Sequence, residues 1–235
     1  MPRKRKDLTI APAVTALEED VIFGRLRPLE RLTEEDVMNR FRLTRHLSRQ
    51  VLQRLRALGI VAGDRAGGTI VRAFSLEEIE QIYEVRELLQ EQALRRMPLP
   101  VPRAVIARLR EIHRRYCAAV RAGDLSTVFR ANDELHDAIF DACGNAVLAD
   151  AIKKYTWLTH GVRSRVFADP THLKRATDDH GRLIDALEGG DRTALIEVNR
   201  RHVNHPKHAY VSAQQWQQTP AAAPAASRKR APKKK

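Results

Sequence analysis

From Leu76 to about Ser212 the apolar residues recur with a helical period, and no part of that span alternates as a strand would require. So long a stretch with one period folds as a set of packed helices, because each helix buries a single stripe against its neighbours. Helix breakers divide it. Pro98, Pro100 and Pro102 interrupt the first junction, Gly123-Asp124 the second, Gly144-Asn145 the third, Asp169-Pro170 the fourth and Gly189-Gly190-Asp191 the fifth. This punctuation predicts an all-α domain over 75–213 with about six helices, at 76–97, 101–122, 124–143, 146–168, 171–188 and 192–213. Ser75, followed three residues later by Glu78, supplies a capping box at its start.

Ahead of that bundle, residues 10–74 carry a different pattern. Val14, Leu17 and Val21 share one face of a helix expected from about Ala13 to Phe23. Thr33-Glu34-Glu35-Asp36 is a helix start, with a hydroxyl N-cap and acids suited to the positive end of the helix dipole. Val37, Met38 and Phe41 give that helix a short apolar face. Thr44 offers a second N-cap, after which Leu47, Val51, Leu55 and Leu58 recur on one face. The opposite face carries Arg45, His46, Arg49, Gln50, Gln53, Arg54 and Arg56. Gly59 ends the helix, and Ile60-Val61 and Thr69-Ile70-Val71 flank a glycine-rich tip. Two short helices, a tight turn and a hairpin make a winged helix-turn-helix.

That order points to DNA, because the second helix of such a unit enters the major groove with its N-terminal residues at the base edges. Thr44, Arg45, His46, Arg49 and Gln50 hold that end. Arginine can contact guanine, and glutamine adenine, through two hydrogen bonds each. At the hairpin tip Gly67 and Gly68 allow close backbone approach, and Arg65 would reach a phosphate or the minor groove. A merely solvated basic face is the plainer alternative; the order of elements weighs against it.

At 235 residues the chain suits two modest domains, and its net charge of +13 favours a polyanionic partner. Part of that charge sits at the ends. Arg3, Lys4, Arg5 and Lys6 lie in a basic arm over 1–9, and Arg228, Lys229, Arg230, Lys233, Lys234 and Lys235 in an Ala/Pro/Lys-rich tail over 214–235. Both ends are expected to be disordered, being poor in large apolar residues. Cys117 and Cys143 show no CxxC spacing, which fits a reducing cytoplasm. No apolar run approaches the roughly 20 residues of a membrane span, and the acids soon after the basic start argue against a signal peptide.

The head resembles that of the GntR family of transcription factors. Gly24 to Glu34 is similar to the segment leading into that head, and Thr44-Arg45-His46-Leu47-Ser48-Arg49-Gln50-Val51-Leu52-Gln53-Arg54-Leu55 to its SRxxxRxxLxxL pattern. Leu29 replaces the usual glycine after Pro28, Arg42 stands where glycine often begins the turn, and His46-Leu47-Ser48 replaces a common Thr-Pro-Val. These departures bear on the operator sequence rather than the fold.

An all-α domain behind such a head resembles the FCD effector domain, and six helices rather than seven would place it nearer the VanR-like than the FadR-like branch. Asn132-Asp133-Glu134-Leu135-His136-Asp137-Ala138-Ile139 is similar to the FCD pattern (D/N)xxFHxxI, with Asn132 and His136 one turn apart on one helix face. His180 and His202 fall where that family places its second and third metal-binding histidines. The resemblance thus implies His136, His180 and His202 as ligands, with Asn132 fourth and Asp133 a second choice for that place. Three neutral imidazoles suit zinc, nickel or a similar divalent transition metal. Tyr83 to Gln90 resembles the family's RxxLE segment, which implies that Arg86 points into an effector cavity and binds a small carboxylate. Arg163 and Arg165 are further candidates to line it. The remaining histidines, His113, His160, His172, His205 and His208, are read as surface or core residues.

Together these features describe a ligand-responsive regulator, a repressor that binds a palindromic double-stranded operator as a homodimer and senses a small carboxylate metabolite at a metal-containing site. Non-specific nucleic-acid binding is the alternative raised by the charge; it would show as steep salt dependence without operator preference. A metal-dependent hydrolase is a distant third, since three histidines can activate a water. The sequence contains no HExxH, no paired catalytic carboxylates and no nucleophile elbow.

Overall fold

The computed structural model describes residues 3–64, 67–164 and 169–218. The head comprises α1 (Arg3–Ile22), α2 (Glu34–Phe41), α3 (Arg45–Ala57), β1 (Val61–Gly63) and β2 (Thr69–Val71), the two strands pairing antiparallel. Thr33 caps α2 through a reciprocal box with Asp36, and Thr44 caps α3 by accepting from the Leu47 amide at 3.4 Å. Val14 and Leu17 of α1 then close over Val37, Val51, Leu52, Leu55, Ile60 and Val61. Ser48 and Leu52 join the buried face of α3, while Leu47 and Leu58 are only partly buried, so the face is rotated slightly from the expected one. Asp20, buried at the end of α1, receives Arg25 and Arg40 and so fastens α1 to α2. The first helix starts at Arg3 instead of about Ala13, passes through Pro12, and takes in most of the expected basic arm.

Two of the departures from the GntR pattern have a backbone consequence. Leu29 and Arg42 both sit at positive φ, 67° and 52°. Leu29 is pinned there because its amide donates to the Val71 carbonyl (2.9 Å), while the Val71 amide donates to the Glu30 carbonyl (2.8 Å). A left-handed non-glycine residue costs roughly 1–2 kcal/mol, and Leu29, 65% exposed, recovers little by burial. Leu29→Gly is therefore expected to raise the urea-unfolding free energy by about 1 kcal/mol; an unchanged or lower value would show that the leucine is not strained.

The hairpin tip depends on its glycines for separate reasons. Gly67 has φ 79°, and a Cβ on Gly68 would come within 2.7 Å of the Asp64 carboxylate, which accepts from the Gly68 amide. Arg31 reaches the same carboxylate at 2.9 Å. Arg65 lies outside the described residues.

The bundle comprises α4 (Leu76–Arg96), α5 (Arg103–Ala122), α6 (Leu125–Asp141), α7 (Ala146–Leu158), α8 (His160–Ser164), α9 (Pro170–Gly189) and α10 (Arg192–Gln218). The expected fourth helix is thus divided, and the described bundle has seven helices where the punctuation indicated about six. Placement nearer the VanR-like branch loses its basis with that count. The break falls at Thr159, whose hydroxyl donates back to the Thr156 carbonyl at 2.8 Å. The last helix runs past 213 to Gln218, and residues 219–235 of the expected tail lie outside the described part. Tyr83 and Tyr116 are fully buried, as are Leu94, Leu109, Leu135 and Phe140. Helix α1 also belongs to both cores: Ile22 joins that of the bundle, while Trp157 of α7 packs against that of the head. Among the described residues no helix is long and apolar enough to cross a membrane.

Candidate functional site

Helices α6, α9 and α10 bring His136, His180 and His202 together, one ring nitrogen of each lying within 4.8 Å of the others. His136 Nε2 and His202 Nε2 are 3.0 Å apart. His180 is 0% exposed, and neither of its ring nitrogens has a hydrogen-bond partner among the described residues. On the far side of His202, Nδ1 lies 3.6 Å from Asp179 Oδ2, a carboxylate held in turn by Arg201. A carboxylate behind an imidazole leaves the other nitrogen as the exposed donor and orients the ring. Burial pushes all three histidines below their ordinary range, His136 and His180 well below it, and the neighbouring positive charges of His202 and Arg163 push His136 and His180 the same way. Neutral imidazole is the metal-binding form, so this donor set fits a divalent transition ion.

Of the two candidates for a fourth ligand, Asn132 is buried one turn before His136, and its Nδ2 donates to Asp133 Oδ1 at 3.1 Å. Asp133 itself is turned toward Arg163 and His160. Its Oδ1 accepts from Arg163 Nη2 at 2.8 Å, and its Oδ2 is 3.0 Å from His160 Nε2. Burial alone would raise the Asp133 carboxyl, but the Arg163 charge and the His160 ring outweigh it and hold it far below the usual carboxylate range.

Arg86 is buried on α4 beside this centre. Its Nη1 donates to Thr159 Oγ1 at 2.9 Å, its guanidinium lies 4.9 Å from the Tyr83 ring centroid, and its Nε has no partner among the described residues. No carboxylate among those residues stands at ion-pair distance, and burial brings its pKa down to about 10. Arg86, Arg163, Gln90, Thr156, His136 and His202 surround a cavity of about 20 Å³, closed by Val203 and Pro206. That is room for about one water. Arg165 lies outside the described residues.

Sequence reasoning missed His160. It is buried between two carboxylates, with Asp133 on one ring nitrogen and Glu18 of α1 3.4 Å from the other. Burial raises the Glu18 carboxyl. Glu19 adds a second tie from α1 to the bundle, accepting from Arg130 at 2.8 Å and from Ser126 at 3.1 Å. No local spacing relates these residues, so periodicity carried no signal for them.

In the head, Arg45, His46 and Arg49 lie at the exposed start of α3, with Gln50 beside them. Arg49 donates to Glu34 at 2.8 Å, Arg45 stands 4.0 Å from the same carboxylate, and Gln50 meets His46 at 2.9 Å. Glu34 thus holds the arginine pair extended from α2. Thr44 is occupied with capping, and Gly67 and Gly68 form the hairpin tip.

The FCD domain model matches residues 81–205, which include all of the histidine centre and Arg86. The HTH-type transcriptional regulator YdhC of Bacillus subtilis (strain 168) is 20% identical over 190 residues, spanning 80% of this chain and 85% of that protein. Among solved structures, E. coli McbR/YncC gives a TM-score of 0.74 at 17% identity, covering 88% of this chain and 98% of its own. A GntR transcriptional regulator from Rhodococcus sp. RHA1 gives 0.72 at 18% identity, with coverages of 87% and 98%. At such identities the structural likeness speaks for the fold. With more than half of its length matched by that domain model, the chain belongs to the FCD-domain family.

Proposed function

We propose that the head reads a palindromic operator as part of a homodimer, and that a small carboxylate sensed beside a metal at the histidine centre alters that binding. The observation that carries the sensing half is Arg86: a buried guanidinium whose described partners are a hydroxyl and an aromatic ring, with no carboxylate among the described residues at ion-pair distance. Leaving a charge so placed is unfavourable unless an anion joins it. His136, His180 and His202 would hold the metal, which when bound supplies positive charge and coordination positions that a carboxylate can fill. Arg86 would grip the same carboxylate as a fork and fix its orientation.

The cavity of about 20 Å³ is too small for such a ligand, so the ligand must favour a conformation in which α8 and α10 stand further apart. Arg163 lines that cavity and binds Asp133, which faces His160, which faces Glu18 on α1 of the head. Displacing Arg163 would therefore disturb the contact that seats α1. A second cavity, of about 1290 Å³, lies between head and bundle and leaves the head room to reseat. A shift of this kind gives the effector a differential affinity for two placements of the head, which is what coupling requires.

The test starts from operator fragments selected from genomic DNA by the full-length chain. Arg49→Ala is expected to reduce the preference for the selected fragment over random DNA by roughly 10- to 100-fold, the worth of one good base contact. In a thermal-shift screen of zinc-loaded protein, a carboxylate that stabilises the wild type should fail to stabilise Arg86→Ala. Equal binding of random and selected DNA by the wild type would favour the non-specific reading, and no carboxylate hit would remove the sensing half.

A further inference from the structure

A second pair of imidazoles repeats the arrangement seen in the histidine centre. His172, in the first turn of α9, and His205, three residues beyond His202 on α10, bring their Nδ1 atoms to 2.9 Å. Their ring centroids are 4.9 Å apart and the planes are tilted by 32°. For His136 and His202 the centroid separation and tilt are also 4.9 Å and 32°, with nitrogens at 3.0 Å. Two nitrogens so close either share one proton or turn both lone pairs toward a common cation. With metal–nitrogen bonds of about 2.0–2.1 Å, a 2.9 Å separation corresponds to an angle of about 90° at the ion. That angle suits the square or octahedral preference of nickel(II) or copper(II) better than tetrahedral zinc.

The surroundings keep both rings in the neutral, metal-binding form. His172 is buried and pushed down to about 3, by burial first and then by His205; His205, partly exposed, is lowered too, again mainly by burial. Both imidazoles are therefore neutral at ordinary pH. Among the charged neighbours Arg175 acts most on His205, ahead of Asp179, while Asp169, the exposed N-cap of α9 three residues before His172, acts more weakly on both rings. One of its oxygens accepts from the Thr171 amide at 2.8 Å. Two imidazoles, the His205 ring partly exposed to water, form a donor pair separate from His136, His180 and His202.

We propose that His172 and His205 form a second divalent-cation site, weaker and more open than the three-histidine centre and selective for nickel(II) or copper(II). It stands whether or not that centre holds a metal. The experiment is a nickel(II) chloride titration of metal-stripped full-length protein, read by calorimetry and by metal retained after ultrafiltration. The wild type should take up two equivalents per chain, and His172→Ala and His205→Ala should each lose the weaker one. His180→Ala should lose the tighter equivalent and keep the weaker. Circular dichroism checks each fold, and His205→Asn, at a half-exposed position, replaces any alanine variant that loses helix. If only one equivalent binds and it disappears in His205→Ala but not in His180→Ala, the second site stands and the metal at the three-histidine centre falls. Wild-type stoichiometry in both the His172 and His205 variants would overturn the second site, as would a single equivalent abolished by His180→Ala.

Discussion

His180→Ala is expected to lower the affinity of the full-length protein for zinc or nickel by more than about 100-fold. Losing only the outer partner of a metal ligand commonly costs about 10- to 100-fold, and His180 would be a ligand itself. The physical ground is its isolation: fully buried, with both ring nitrogens unpartnered among the described residues. An unmade hydrogen bond on a buried polar group costs about 1–3 kcal/mol, which an ion bound to that nitrogen would offset. Zinc should therefore raise the Tm of the stripped wild type and leave that of the variant unmoved. The sign of the pH dependence follows from the same burial. Because folding lowers the pKa of His180 below the ordinary imidazole value of about 6.5, the unfolded chain takes up a proton there below about pH 6.5 while the folded one does not. Stability of the stripped protein should thus fall as pH drops through that range, and fall less in the variant. Unchanged metal affinity in His180→Ala would remove the residue from the site.

Asp133→Asn is expected to destabilise the protein by about 3 kcal/mol, the lower end of what breaking a buried ion pair usually costs. The lower end applies because the Asp133 side chain is 26% exposed, whereas that of Arg163 is 7% and that of His160 5% exposed. The substitution leaves a buried guanidinium facing a neutral amide. Folding lowers the Asp133 pKa, so the stabilisation is fully present above the unfolded value of about 3.9 and is lost only as pH falls through the depressed folded value. Urea unfolding at pH 7 reads it directly, and a loss below about 0.5 kcal/mol would class the contact with ordinary surface pairs. The same variant tests the route from cavity to head. If Arg163, Asp133, His160 and Glu18 carry the coupling, a carboxylate that stabilises the metal-loaded wild type should still bind the variant and operator DNA should still bind, but the carboxylate should no longer alter operator affinity.

The parts of the fold legible beforehand were those set by short-range chemistry. Thr33 with Asp36, Thr44 alone, and Ser75 with Glu78 are caps whose hydrogen bonds close within three residues. The apolar stripe of α3 and the glycine-bearing hairpin tip are likewise local. The break at Thr159 was hidden because no proline or glycine precedes it; a threonine hydroxyl turning back on its own helix makes it. The extension of α1 to Arg3 was hidden for a different reason, since the basic run over 1–9 is poor in large apolar residues and was expected to be disordered.

The candidate site divides in the same way. Asn132 and His136 share a helix face by spacing alone, and Arg86, His180 and His202 entered through resemblance to the FCD pattern. Nothing along the chain showed that Asp133 would turn from its neighbour Asn132 toward Arg163, 30 residues away, or that His160 would sit between Asp133 and a glutamate of the head. Sequence by itself determined most of the helices, their caps, the family and the basic face of α3, because periodicity and capping act over one or two turns. Only the tertiary structure decided which charges lose their water together. Among the described residues burial gives Arg86 no carboxylate partner, leaves His180 without a hydrogen bond and draws His172 against His205, and burial is a property of the packed bundle rather than of any segment of it.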